Sequence, residues 1–320
     1  MRILKFRAQK IIYNITAFLF VASFAFSAPH AQAQNATSKD VLKILQQVHQ
    51  QADGLLMAEF VDPSSLPPKR NYSKRYPRHV YHKARDVSEM MSKLSLMHQL
   101  QTSNLSSYQT KALVPTDVLN IVVNMKEQMD VMADYFEVEP QSDEQTENQE
   151  SLGAVTPTDV YASIAHLQDK LIAIGAVPPK PNDVFKAATI IFDDIQAIAR
   201  KEGRPDTSSM SGVDEDLTPR DTYVLAFELF SEMNALLEGK PDNFIRGDIV
   251  RPYTSQIQKP SPQHVLDLLI NMQAEIHALN LAYETNFSYI DQMDKTYAGK
   301  TPSDVHYVLR DVKSLLRQFN

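Results

Sequence analysis

Residues 156–175 read Thr-Pro-Thr-Asp-Val-Tyr-Ala-Ser-Ile-Ala-His-Leu-Gln-Asp-Lys-Leu-Ile-Ala-Ile-Gly. The stretch opens as a helix start. Thr156 is placed as an N-cap, whose side-chain oxygen accepts from an orphan backbone N–H. Pro157 follows at the first helical position, where its missing N–H costs nothing. Asp159 falls at the third, within reach of the cap's own N–H and facing the positive end of the helix dipole. Counting from Val160, apolar residues recur at +4, +7, +11 and +14 as Ile164, Leu167, Leu171 and Ile174. That spacing lines one face of an α-helix.

The same pattern is written eight times. The Val position is held by Val41, Val80, Val118, Val160, Val184, Thr222, Val265 and Val305. Pro stands three residues earlier in every copy but the first, and an acid directly precedes the Val position in every copy except two, where His79 and His264 stand instead. The third copy continues with Val122, Met125, Met129 and Met132, the seventh with Leu269, Met272, Ile276 and Leu279. Tyr76, Val114 and Lys180 occupy the cap position in copies two, three and five, which predicts weaker caps there. A repeated pattern reports one structural unit used many times. The prediction is an all-α fold of tandem helical-hairpin repeats: eight equivalent helices in four pairs, stacked as an α-solenoid or grouped as paired helical bundles.

An alternation supports the pairs. The residue after the Val position is Leu42, Leu119, Phe185 and Leu266 in odd copies, and Tyr81, Tyr161, Tyr223 and His306 in even ones. The short connection Gly175–Lys180 predicts that the fourth and fifth helices are antiparallel neighbours. The other connections are nearer twenty residues, longer than a minimal hairpin requires. Tetratricopeptide arrays share the tandem helix pairs, but their 34-residue period and Trp/Leu-Gly/Tyr signature are missing here.

Residues 1–33 read as a secretory signal peptide. Arg2, Lys5, Arg7 and Lys10 give a basic start, Ile11 to Ser27 is largely apolar, and Ala31-Gln32-Ala33 offers small residues for cleavage. This predicts a periplasmic protein, with membrane association only if the signal stays uncleaved. The chain contains no Cys, which excludes disulfides, thiol nucleophiles, thiolate zinc sites and lipidation at the cleavage site. The formal charge of −7 becomes more negative once the four basic residues of the leader are removed, which argues against nucleic acid as a partner. The remaining domains are expected as repeats one to three over 34–136, an acidic flexible linker over 137–155, and repeats four to eight over 156–320. The linker carries Glu137, Glu139, Asp143, Glu144, Glu147 and Glu150 with no base.

The candidate binding segment is the opposite in charge. Lys69, Arg70, Lys74, Arg75 and Arg78 are interleaved with Tyr72 and Tyr76, a combination suited to an envelope protein or an anionic glycan or glycolipid. His79 and His82 share a helical face at metal-ligand spacing, but two ligands do not make a site. The repeated Asp residues sit where capping explains them. No G-x-S-x-G, H-E-x-x-H or phosphate-loop pattern occurs. The reading is an exported, non-catalytic binding or scaffold protein that needs no cofactor. The alternative is a periplasmic carrier or sensor holding a small ligand in an apolar cavity between helix pairs.

Overall fold

The computed structural model describes residues 36–102, 107–138, 153–206, 216–237, 249–252, 257 and 259–319. The leader 1–33 and most of the acidic stretch 137–155 lie outside them. Among the described residues the fold is all-α, without a strand. The eight repeats form α1 (Ser38–Ala58), α2 (Pro77–Met97), α3 (Pro115–Tyr135), α4 (Pro157–Ala173), α5 (Pro181–Lys201), α6 (Pro219–Glu232), α7 (Pro262–Tyr283) and α9 (Pro302–Leu316). A one-turn helix, α8 (Ser288–Gln292), lies in the connection before α9.

The motif caps each helix as its chemistry dictates. Thr37, Thr156 and Thr301 accept from the amide of the Asp three residues on, and that Asp accepts in return from the cap's N–H at 2.7–2.8 Å. At Val114 and Lys180 only the return bond survives, from the cap amide to Asp117 at 2.9 Å and to Asp183 at 2.8 Å. In α2 and α7 the imidazole Nδ1 of His79 and His264 does the same for Tyr76 and Ser261, at 3.1 and 3.0 Å.

The stripes build two cores. One joins α1 to α4 around Leu45, Tyr81, Met91, Ile121, Met125 and Leu167; the other joins α5, α6, α7 and α9 around Ile191, Phe230, Leu269, Ile276 and Leu309. Within the first, α1 packs on α3 and α4, and α2 packs on α3 and α4. The second repeats this order, with α5 on α7 and α9, and α6 on α7 and α9. The pairs α1 and α2, and α3 and α4, therefore lie on the diagonals of their bundle. The helical-hairpin pairing is not found: the first and second helices of a bundle each pack on its third and fourth instead.

Connection length explains this. In each bundle the Pro and Val positions of all four helices meet around one point, Val41, Val80, Val118 and Val160 in the first and Val184, Thr222, Val265 and Val305 in the second. All four helices of a bundle thus run parallel. A helix of 21 residues is about 31 Å long, so an extended return needs roughly ten residues. Residues 59–76 make such a return along α4: Arg70 bonds Asp169, Tyr72 packs on Tyr161, and the Arg75 amide bonds Thr158. Residues 174–180 are too few to climb back. They start a second bundle that runs the other way, and α5 joins a different core from α4 instead of packing beside it. The division between the two cores falls here and not at 137–155, so α4 belongs with repeats one to three.

Candidate functional site

The two bundles meet through α2 and α7. This gives α2 neighbours on every side: Arg78, His79, Tyr81, His82, Lys83 and Arg85 are all buried. A buried charge must be paired and hydrogen-bonded. The second bundle supplies the partners from α7, chiefly Asp267, Asn271, Glu275 and His277.

Glu275 is the most completely satisfied. Arg78 donates from Nε and Nη2 to Oε2 at 3.0 and 2.8 Å. Oε1 accepts from the Val250 amide at 2.8 Å and from His79 Nε2 at 2.8 Å. Because His79 Nδ1 accepts from the Tyr76 amide, its proton sits on Nε2 and the ring is neutral. Burial would raise the Glu275 pKa, but His79, Arg78 and the Val250 amide outweigh it and hold the carboxyl below its ordinary value. Burial is also the main reason that His79 stays below the usual imidazole range.

Lys83, deeper along α2, donates to Gln168 at 2.6 Å, Asp267 at 2.7 Å and Asp86 at 3.3 Å. Burial opposes its charge, yet Asp267 and Asp86 raise its pKa above the ordinary lysine value. Asp86 itself is pushed up to about 6 by burial, with Lys83 pulling only partly in the other direction.

A third group is aromatic. Tyr108, from the α2–α3 connection, stacks on Tyr289 with centroids 4.4 Å apart, and Arg85 lies over Tyr81, Tyr108 and Tyr289 at 5.3–5.8 Å. His277 Nε2 donates to the Lys111 carbonyl at 2.9 Å, so its Nδ1 accepts from the Tyr108 hydroxyl at 3.1 Å. Burial brings the His277 pKa down to about 4 and holds His82 well below its ordinary value.

The basic segment is therefore mostly internal. Arg75 is buried with its guanidinium 5.0 Å from the Tyr161 ring, and Arg78 is committed to Glu275. Arg70 pairs with Asp169 at 2.6 Å, Tyr72 packs edge-on to Tyr161, and Tyr76 lies under Arg78 and Lys74. Lys69 and Lys74 remain exposed. As a continuous surface for an outside partner the segment is interrupted, because Arg70 and Arg75 are held against α4 and Arg78 is paired with Glu275 of the second bundle. His79 and His82 do not converge on a metal position either; both nitrogens of His79 are engaged, and no metal-holding group of three occurs among the described residues.

The sequence reading missed the signal for this interface. The two copies in which His replaces the motif's Asp are α2 and α7, the two helices that pack across it. At α2 the reason is direct: an Asp at 79 would face Glu275. The cavities at the two rosettes of helix starts have volumes of about 10 Å³ each, room for about one water. Comparison with protein-family profiles, curated proteins and solved structures finds no match for this chain.

Proposed function

We propose that this chain is an exported, non-catalytic binding or scaffold protein of the bacterial envelope. One observation carries the reading: the side chains with the most chemistry, from Arg78 and His79 to Glu275 and His277, are paired with one another between the two bundles. Their role is to fix one half of the molecule on the other. Contact with an envelope protein or an anionic glycan then falls to the outer surface, to the helix-end connections and the exposed rim of Lys69 and Lys74. The leader-like residues 1–33 support a periplasmic location. The rosette cavities are too small for an organic ligand, which disfavours them as the seat of a carrier.

In-cell crosslinking of the tagged protein, followed by mass spectrometry, tests this. One envelope protein or glycan recovered in stoichiometric amount is the expected result. Recovery of a stoichiometric small molecule alone would replace the scaffold reading with the carrier one.

A further inference from the structure

The duplicated halves differ sharply at the ends where their helices stop. In the second bundle this end is closed from within by two 3₁₀ turns, Met233–Leu237 and Arg317–Phe319, with Arg204 over the Phe319 ring at 5.6 Å. Cations also stand there: Arg200 and Lys201 in the last turn of α5 and Lys313 in that of α9. They oppose the negative ends of the helix dipoles.

In the first bundle the 3₁₀ turn Pro63–Ser65 follows α1, and Val61, Leu100, Phe136 and Val138 pack onto the core, but large apolar side chains outside them stay exposed. Where α5 ends in Arg200, Lys201, Gly203 and Arg204, the equivalent positions of α1 hold Met57, Ala58, Phe60 and Val61. Phe60 is 96% exposed, Leu96 63%, Met57 62%, Met97 56% and Tyr135 54%. They belong to one end of the bundle, where His98 packs on Phe136 at 5.0 Å and Gly54 abuts Val138. Phe60 adopts φ +55°, a left-handed backbone that costs a bulky residue and that Gly203 takes at its equivalent. Gln99 and Glu137 take the same left-handed backbone after α2 and α3, so the conformation belongs to the helix end; what singles out Phe60 is its exposed aromatic ring. The rim is acidic, with Glu59, Asp62, Asp134 and Glu137 exposed, and no basic residue stands in the last turn of α1, α2 or α3. The adjoining stretch 139–151 is itself acidic and without a large apolar residue, so it has the wrong chemistry for a cover.

We propose that this end, centred on Phe60 and Leu96, docks a cationic amphipathic segment of another protein. Such a segment covers the exposed apolar side chains and brings the positive charge that the second bundle carries at Arg200, Lys201 and Lys313. An anionic membrane surface is disfavoured by the acidic rim. The inference rests on the binding-module reading and names the class of its partner.

The test is fluorescence anisotropy of a labelled 14-residue Leu/Lys amphipathic peptide titrated with the whole chain, beside a Leu/Glu peptide of the same pattern. Saturable binding of the Leu/Lys peptide is expected, weakened by raised salt and at least tenfold by Phe60→Asn with Leu96→Gln. Phe60→Asn alone should keep or raise Tm, because Asn accepts the left-handed backbone, so its loss of binding is not a loss of fold. Equal binding by the variants, or equal binding of the Leu/Glu peptide, overturns the proposal. So does dimerisation of the chain, or binding to phosphatidylglycerol vesicles, that these substitutions abolish. Failure of the peptide while crosslinking still recovers a partner sinks this surface alone; absence of any partner sinks the binding-module reading itself.

Discussion

Restoring the repeat motif at residue 79 should destabilise the protein. Substitution toward a repeat's consensus ordinarily stabilises, by about 0.5–2 kcal/mol, so the sign is diagnostic. In His79→Asp the cap survives, since a carboxylate accepts from the preceding cap amide at 2.7–2.9 Å in the other copies. What changes is Glu275. It loses the 2.8 Å bond from His79 Nε2, and a hydrogen bond to a charged group contributes about 1.5–3 kcal/mol. It also gains a like charge; at roughly 6 Å and an effective dielectric near 20 the repulsion is about 3 kcal/mol. Arg78 offsets part of this, which leaves a net cost of about 3–5 kcal/mol, typical of a broken buried pair.

His264→Asp is the control. His264 is only half-buried and among the described residues bonds just Ser261, so an Asp there should be neutral to within about 1 kcal/mol, a cap exchanged for a cap. Urea unfolding followed by circular dichroism at 222 nm and pH 7.5 reads both variants as a shift in midpoint at constant slope. Adding Glu275→Gln to His79→Asp should recover part of the loss by removing the repulsion. A His79→Asp protein as stable as the His264→Asp one would refute the account of why these two copies carry His.

Three further outcomes follow from the same interface and its supports. Arg75→Glu should lower the unfolding midpoint strongly because its guanidinium is buried against Tyr161, whereas Lys69→Glu and Lys74→Glu, both exposed, should move stability by less than about 0.5 kcal/mol; equal effects would contradict the placement of the segment. Gly54→Ala drives a Cβ into Val138 Cγ1, and overpacking between the ends of α1 and α3 should cost about 1–3 kcal/mol in a thermal melt. His277, held at about 4 in the folded chain, remains neutral while the unfolded chain takes up a proton below about 6.5. The folded state is therefore penalised as pH falls, by about 2 kcal/mol at pH 5. Asp86, raised to about 6, works in the opposite direction, so the comparison is with His277→Gln: its stability should fall less than the natural chain's between pH 7.5 and 5.

The helices were legible in the sequence because capping and burial both operate over a few residues. Thr156, Pro157, Asp159 and Val160 state a helix start locally, and Ile164 to Ile174 state which face is buried. The neighbour of each face was not legible, since every stripe has the same spacing and any two could pack together. Chain length decides that question. A connection such as 59–76 permits a return to the starting end, and 174–180 forbids one. The acidic stretch drew a domain boundary to 137–155 because composition reports solvation, whereas core membership changes at the short turn. The basic segment misled for a related reason. Its positive charge reads as facing outward, but Asp169, Asp267 and Glu275 lie far along the chain and become its partners only when α4 and α7 are brought alongside.

A parallel bundle carries an electrostatic problem that an up-and-down bundle avoids. Four helix starts at one end gather roughly half a positive charge each, and four helix stops gather the same in negative charge. The recurrent acids Asp40, Asp117 and Asp159 answer the first in one half, and Asp183, Asp221 and Asp304 answer it in the other. Opposing the two bundles answers part of the second, because the stops of one half lie beside the starts of the other; Lys93 near the end of α2 reaches Asp183 at the start of α5 at 3.2 Å. The repeat therefore could not stay uniform once the halves met. An acid at every start is right for a helix whose start faces solvent, and wrong for one whose start faces the partner bundle's own carboxylate. His79 is that exception made by the interface, a neutral acceptor toward its own cap and a donor toward Glu275. One substitution in the motif thereby serves the capping of α2 and the joining of the two halves at once.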